Sequence, residues 1–264
     1  MSDASKEGGT HVGRSWSFPP AGKIEGDWRK WGFGQVLLGY SLSLLASLIA
    51  LTVVYEATNY EEWDDLPMWA VSLVGLPQQA ILALTVLLAA FTSGGGLRRD
   101  FLFQMKRKDI GLGLFSGIAA QLLLVPVVTL PFIWIFSIDI DRISEPARSL
   151  SDRATSPIGV IALIITVGLL APIVEELFFR GLLYGTLRKR NNSFNSEKAI
   201  VRFSIVISSA IFSAIHFQLL LFPALFVVGM LFAWLYERNG RLATAIWAHV
   251  GFNATTLFSL LVID

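Results

Sequence analysis

Ala171-Pro172-Ile173-Val174-Glu175-Glu176-Leu177-Phe178-Phe179-Arg180 sets two glutamates and an arginine inside one of the most hydrophobic stretches of the chain. The flanks, Ile158 to Leu170 and Gly181 to Leu187, carry no charge, so these are the only charged groups between Pro157 and Arg188. A charged side chain at mid-bilayer costs roughly 2.5–3.5 kcal/mol on insertion scales. A segment that keeps three of them within two helical turns needs a use for them, and chemistry is the use that fits.

Composition sets the surroundings. The 264 residues are 54% hydrophobic and 16% charged, with a mean hydropathy of +0.61. Soluble domains carry about 25% charged residues, so the chain reads as an integral membrane protein. Its net charge of +1 argues against a nucleic-acid partner. The absence of cysteine excludes a disulfide framework, a thiol nucleophile and a cysteine metal site. His11, His216 and His249 are the only histidines. Residues 1–32 are polar and lack the apolar run of a secretory signal. They read as a partly disordered cytoplasmic tail whose Lys6, Arg14, Lys23, Arg29 and Lys30 form a solvated face. Trp28 and Trp31 read as interfacial anchors. Ser93-Gly94-Gly95-Gly96 reads as a turn, since no Gly-Lys-Ser/Thr follows to make it a phosphate loop.

A membrane span needs about 20 mostly apolar residues. Candidates run near 33–55, 67–92, 110–136, 157–187, 199–217, 219–236 and 242–262, predicting an all-α bundle of about seven transmembrane helices over 33–264, with a buried intramembrane site. The loops alternate in charge. Glu56, Glu61, Glu62, Asp64 and Asp65 follow the first span, whereas Arg98, Arg99, Lys106, Arg107 and Lys108 follow the second. Loop 137–156 is mixed and slightly acidic, and Arg188, Lys189, Arg190, Lys198 and Arg202 follow the fourth span. Lysine and arginine mark the cytoplasmic side, which puts the amino terminus inside and the carboxyl terminus outside. No internal repeat of the solenoid or inverted-transporter kind is visible.

The polar residues of the second half fall into a pattern. Glu176 and Arg180, four apart on a helix, share a face and can neutralise each other. Glu175 points about 100° away and has no partner on its own helix. Pro172 cannot donate to the carbonyl of Gly168, so a kink beside the glutamates is expected, opening a small wet cavity. Phe212 and His216 lie one turn apart on the fifth span, as do His249 and Asn253 on the last. Counted from the basic flanks, Glu175, His216 and His249 lie roughly 12–21 Å deep, which permits one shared site. Singly, each set has a plain structural reading as an ion pair, an interface histidine or interhelical hydrogen-bond glue. Together, at matching depths, they favour function.

A carboxylate beside a histidine can hold and deprotonate a water. A second histidine with an asparagine can stabilise the oxyanion formed when a carbonyl is attacked. Those groups suffice for peptide hydrolysis without a covalent intermediate. Equally, Glu175, His216 and His249 are the ligand types of a His₂Glu zinc site with an open water position. Both readings need the same residues, and the sequence leaves both open. Other protease chemistries lack their motifs: there is no His-Glu-x-x-His, no Gly-x-Gly-Asp and no Gly-x-Ser-x-Gly.

The ordered set Glu175-Glu176-x-x-x-Arg180, Phe212-x-x-x-His216 and His249-x-x-x-Asn253 resembles the motifs of the CAAX-protease and bacteriocin-processing family. This group of intramembrane endopeptidases includes the type II CAAX prenyl endopeptidases. The resemblance covers about residues 157–256; the first three spans show nothing diagnostic. It implies that Glu175, helped by His216, activates the attacking water. It further implies that His249 and Asn253 stabilise the oxyanion, that Glu176 and Arg180 brace the site, and that Phe212 shapes the cavity. It leaves zinc open as a cofactor. The expected substrate is a peptide or protein associated with the bilayer, lipidated or not, cut near the cytoplasmic leaflet. Two further readings stand beside the protease: a membrane binding or immunity protein using the same cavity without cleavage, and a proton-coupled transporter with Glu175 and the histidines as relay.

Overall fold

The computed structural model describes residues 30–190, 194 and 196–263, and among them the hydrophobic runs become helices and no strand appears. Apart from its last residues, the tail, with Trp28 and His11, lies outside the described residues. The main helices are α1 (Phe33–Ala57), α2 (Met68–Thr92), α3 (Arg107–Phe136), α4 (Ile140–Asp152), α5 (Pro157–Lys189), α6 (Glu197–Ala214), α7 (Phe222–Asn239) and α8 (Leu242–Ile263).

Five of them, α1, α2, α3, α5 and α8, are long and apolar enough to cross a membrane. The sequence suggests about seven; α6 and α7 fall outside this measure of length and composition. Helices α6 and α7 have 18 residues each, about 27 Å at 1.5 Å per residue. Glu197, Lys198 and Arg202 occupy the start of α6, and Glu237 and Arg238 the end of α7. The apolar length of each is therefore below what a span requires. A second departure is α4, where the sequence suggested a mixed loop. Its start is capped by Asp139, whose carboxylate accepts from the Asp141 N–H. Leu150 packs against the cluster of Met68, Ala154, Leu163 and Leu257. That spacing of apolar among charged residues makes α4 amphipathic.

Close packing of α8 on α3 fixes the part of the bundle that carries His249. Gly113 and Gly117 face Thr244, Trp247 and Ala248, and a Cβ on Gly117 would lie 1.9 Å from the Ala248 carbonyl oxygen. Small residues four apart let helix backbones approach to this degree. One end of the pair is locked by buried Asp109, which accepts from Arg241 Nε at 2.7 Å and Nη2 at 2.6 Å. Bidentate pairing of this kind fixes register as well as adding energy. On the other side of α5, Val36, Leu82, Val86, Val174, Phe178, Phe179 and Phe212 form a continuous core with Trp31 and Phe101.

Trp31 is not an interfacial anchor. Its ring is fully buried and stacks on Phe101 at 5.3 Å, with the Lys189 ammonium 3.8 Å from its centre. The indole thus clamps the start of the bundle to the base of α5. The glycine-rich turn is closed by Gly95 N–H donating to Asp100 at 2.6 Å, with Gly96 at φ +97°.

Candidate active site

Helix α5 changes register twice around the glutamates. It is a π-helix over Ile164–Leu170, an α-helix over Ala171–Glu175 and a π-helix again over Glu176–Tyr184. Such wide turns inside helices recur at functional sites. They also alter the expected effect of Pro172. In the wide register the Ala171 N–H donates to Thr166 O, five residues back. The next carbonyl in that series, Val167 O, falls to a proline with no N–H. The carbonyl freed by Pro172 is therefore that of Val167 rather than Gly168, and Asn253 Nδ2 donates to it at 2.8 Å. An unpaired buried carbonyl is costly, and α8 supplies the missing donor.

The remaining sequence-predicted residues converge. Glu176 is fully buried, and its Oε1 accepts from Arg180 Nη1 at 2.8 Å and from His249 Nδ1 at 2.9 Å. Arg180 also donates from Nη2 to Gly229 O at 3.2 Å, and its guanidinium carbon lies 4.3 Å from the centre of the Phe212 ring. Phe212 meets His216 edge-on at 4.6 Å and His249 at 5.8 Å. It is the aromatic wedge that spaces the two imidazoles. His216 is expected within the span 199–217, but α6 ends at Ala214 and His216 sits in the turn that follows. Its Nδ1 is 2.6 Å from the Phe212 carbonyl oxygen.

Those contacts assign the protons. A carbonyl only accepts, so His216 Nδ1 carries the hydrogen and a neutral ring presents a lone pair at Nε2. The Glu176 carboxylate likewise takes a hydrogen from His249 Nδ1. Both Nε2 atoms then face the same oxygen: Glu175 Oε2 is 4.0 Å from His216 Nε2 and 3.9 Å from His249 Nε2. That oxygen is buried and has no hydrogen-bond partner. The Glu175 and His216 side chains keep 18% and 26% exposure, so the junction opens to one side. Gaps near 4 Å are too long for direct hydrogen bonds and suit a bridging water, which would stand about 2.8 Å from each group.

The ligand types also match zinc, but the spacing does not. With metal–ligand distances of about 2.0–2.1 Å, tetrahedral ligands stand about 3.4 Å apart. Among the described residues no three His, Cys, Asp or Glu side chains are grouped closely enough to hold a metal ion. Sequence reasoning missed three contributors: Gly229, whose carbonyl takes the second arm of Arg180; Val167, which explains Asn253; and the Gly113/Gly117 seat of α8. Only the last had a readable signal, the Gly-x-x-x-Gly spacing on α3.

Fold and site together define a polytopic helical membrane protein with a glutamate–histidine centre buried between α5, α6 and α8. Residues 157–255 match the family model described as type II CAAX prenyl endopeptidase Rce1-like. Across a longer stretch, the chain is 27% identical over 224 residues to the Bacillus subtilis (strain 168) protein named "Putative membrane peptidase YdiL". That alignment covers 83% of this chain and 84% of the relative. No solved structure matches the chain. Over residues 157–255 the chain is thus similar to the type II CAAX prenyl endopeptidase-like family, which supports a membrane-embedded protease in general.

Proposed function

We propose that the protein is an intramembrane endopeptidase that hydrolyses a peptide bond in a bilayer-associated or lipid-anchored peptide using water activated by Glu175 and His216. The observation that carries this reading is the convergence of two imidazole Nε2 atoms on one buried, unpartnered carboxylate oxygen. In the proposed reaction a water donates to Glu175 Oε2 and His216 Nε2, leaving an oxygen lone pair for the substrate carbonyl. Attack moves one water proton to Glu175 and creates a tetrahedral oxyanion. In this proposal the imidazolium form of His249, its Nδ1 donating to Glu176, donates from Nε2 to that oxyanion. Collapse breaks the C–N bond, and the proton on Glu175 passes to the leaving amine. The charges then balance: two carboxylates face Arg180 and one imidazolium. Asn253 spends one amide hydrogen on Val167 and keeps the other for the oxyanion. No step is routed through zinc, whose binding would require the trio to close by about half an ångström.

The proposed orientation keeps the amino terminus cytoplasmic and the carboxyl terminus outside. The alternation of basic and acidic loops supports it, and an odd number of spans places the termini on opposite sides. The test compares newly formed peptide termini in membranes holding wild-type protein or Glu175→Ala at matched abundance. Termini that require Glu175 are expected. Identical termini in both membranes, with substrate supplied as a library of bilayer-anchored peptides, would refute the reading. A parallel arm with a zinc chelator is expected to leave the termini unchanged; their loss, reversed by added zinc, would replace the metal-free step.

A further inference from the structure

We infer that the α6–α7 hairpin is re-entrant: its tip, Ile215–Leu221, stops inside the apolar layer, where acyl chains hold His216 in place. Only the consequence for His216 rests on the protease reading above. The first observation is depth. At the base of the hairpin Arg188 bridges both helices, reaching Glu237 at 2.9 Å and Glu197 at 3.4 Å. Glu175 lies 13 residues along α5 from Arg188, about 20 Å at most. His216 is 4.0 Å from Glu175, so the tip stands at the same height, about two-thirds of a hydrocarbon core of about 30 Å. Helix α5 continues past that level for a further 18 residues, back to Pro157.

The second observation is chemical. From Phe203 to Tyr236 the chain carries no Asp, Glu, Lys or Arg. The connector reads Ile-His-Phe-Gln-Leu-Leu-Leu, without the glycine, proline, asparagine or aspartate that water-facing turns use. Phe217 and Leu219 nonetheless point away from the protein, 83% and 86% exposed. A turn built this way suits hydrocarbon.

Irregular backbone at membrane depth must satisfy its own polar groups. Here His216 N–H donates to Ser213 O, Phe217 N–H to Ala214 O, Leu221 N–H to Gln218 O and Phe222 N–H to Leu219 O. The Ser213 hydroxyl donates to Phe222 O at 2.7 Å, and His216 Nδ1 takes the Phe212 carbonyl that the ended helix leaves open. The third observation is strain. Phe217 has φ +53°, a left-handed conformation that glycine adopts freely and a bulky side chain resists. Protein contacts do not compensate an aromatic that is mostly exposed. Burial in acyl chains would, and the anchored residue is the direct neighbour of His216.

The chain has no cysteine, so single cysteines report cleanly on depth. In full-length protein reconstituted in phospholipid bilayers, nitroxides at Phe217→Cys and Leu219→Cys are expected to match Leu48→Cys on the lipid face of α1. They should be accessible to oxygen and shielded from a nickel chelate. A membrane-impermeant maleimide should label them at under one-tenth the rate of Asp141→Cys. Labelling as fast as Asp141→Cys would overturn the re-entrant hairpin, whatever the protein's activity. For the link to His216, Phe217→Gly relieves the strain and removes the anchor. It is expected to lower cleavage about tenfold in bilayers and to equal the wild type in detergent. Undiminished cleavage in bilayers would overturn that link. A wild type with no cleavage in either medium would count against the protease reading instead, and the labelling would still decide the hairpin.

Discussion

A single methyl group tests whether the site depends on the seating of α8. A Cβ on Gly117 would stand 1.9 Å from the Ala248 carbonyl oxygen, 2.7 Å from the Phe252 nitrogen and 2.8 Å from the Ala248 carbonyl carbon. All three are backbone atoms and have no rotamer to escape into. A carbon–oxygen contact settles near 3.3 Å, so Gly117→Ala forces α3 and α8 apart by about 1.4 Å. The next residue on α8 is His249, whose Nε2 is 3.9 Å from Glu175 Oε2. If α8 takes the displacement, that gap approaches about 5 Å and the bridging water loses its geometry. A misplacement of about 1 Å commonly costs about 10²-fold in rate, while overpacking costs about 1–3 kcal/mol of stability. The matched control is Gly111→Ala on the same helix, where an added Cβ meets nothing within 4 Å. Both variants are compared with wild type by thermal melting and by release of new termini in membranes. Gly117→Ala should melt lower and cleave about a hundredfold more slowly, with Gly111→Ala unchanged. Cleavage by Gly117→Ala within twofold of the control would refute the argument.

Two other pairs can be separated by double variants. Arg180→Met leaves Glu175 and Glu176 one cation short inside the bundle and should destabilise by about 3–5 kcal/mol, measured by denaturation in mixed micelles. Adding Glu176→Gln should restore most of that stability without restoring cleavage, because His249 has lost its carboxylate. Asn253→Ala strips the donor from Val167 O and should cost about 1–3 kcal/mol. Combining it with Pro172→Ala returns a backbone N–H to the helix. Recovery of stability and cleavage together would reduce Asn253 to a structural role, whereas recovery of stability alone would keep it at the oxyanion.

The parts of this molecule readable from sequence were those that depend on periodicity and on the scarcity of polar residues. Three charges in an apolar run, two histidines at matching depth and one asparagine were enough to gather Glu175, Glu176, Arg180, Phe212, His216 and His249 around one point, as the contacts show. Register was not readable. The π turns of α5 shift the proline-freed carbonyl by one residue, and no local composition announces them. The number of spans differs for a plainer reason: charges at the start of α6 and the end of α7 leave each with a short apolar run.

That last difference bears on mechanism. A carboxylate inside a bilayer needs both water and a partner that water does not displace. Glu175 sits on the continuous helix α5, and His216 on a turn closed by its own N–H to Ser213 O, by its Nδ1 to Phe212 O and by the Ser213 hydroxyl to Phe222 O. His249 is instead buried and pinned by Glu176. Of the two imidazoles facing Glu175, the one assigned to stabilise charge is rigid, and the one assigned to share the attacking water is on the more exposed side. In the proposed reaction the water therefore meets Glu175 on the His216 side, away from the Glu176–Arg180–His249 triad that carries the balancing charge.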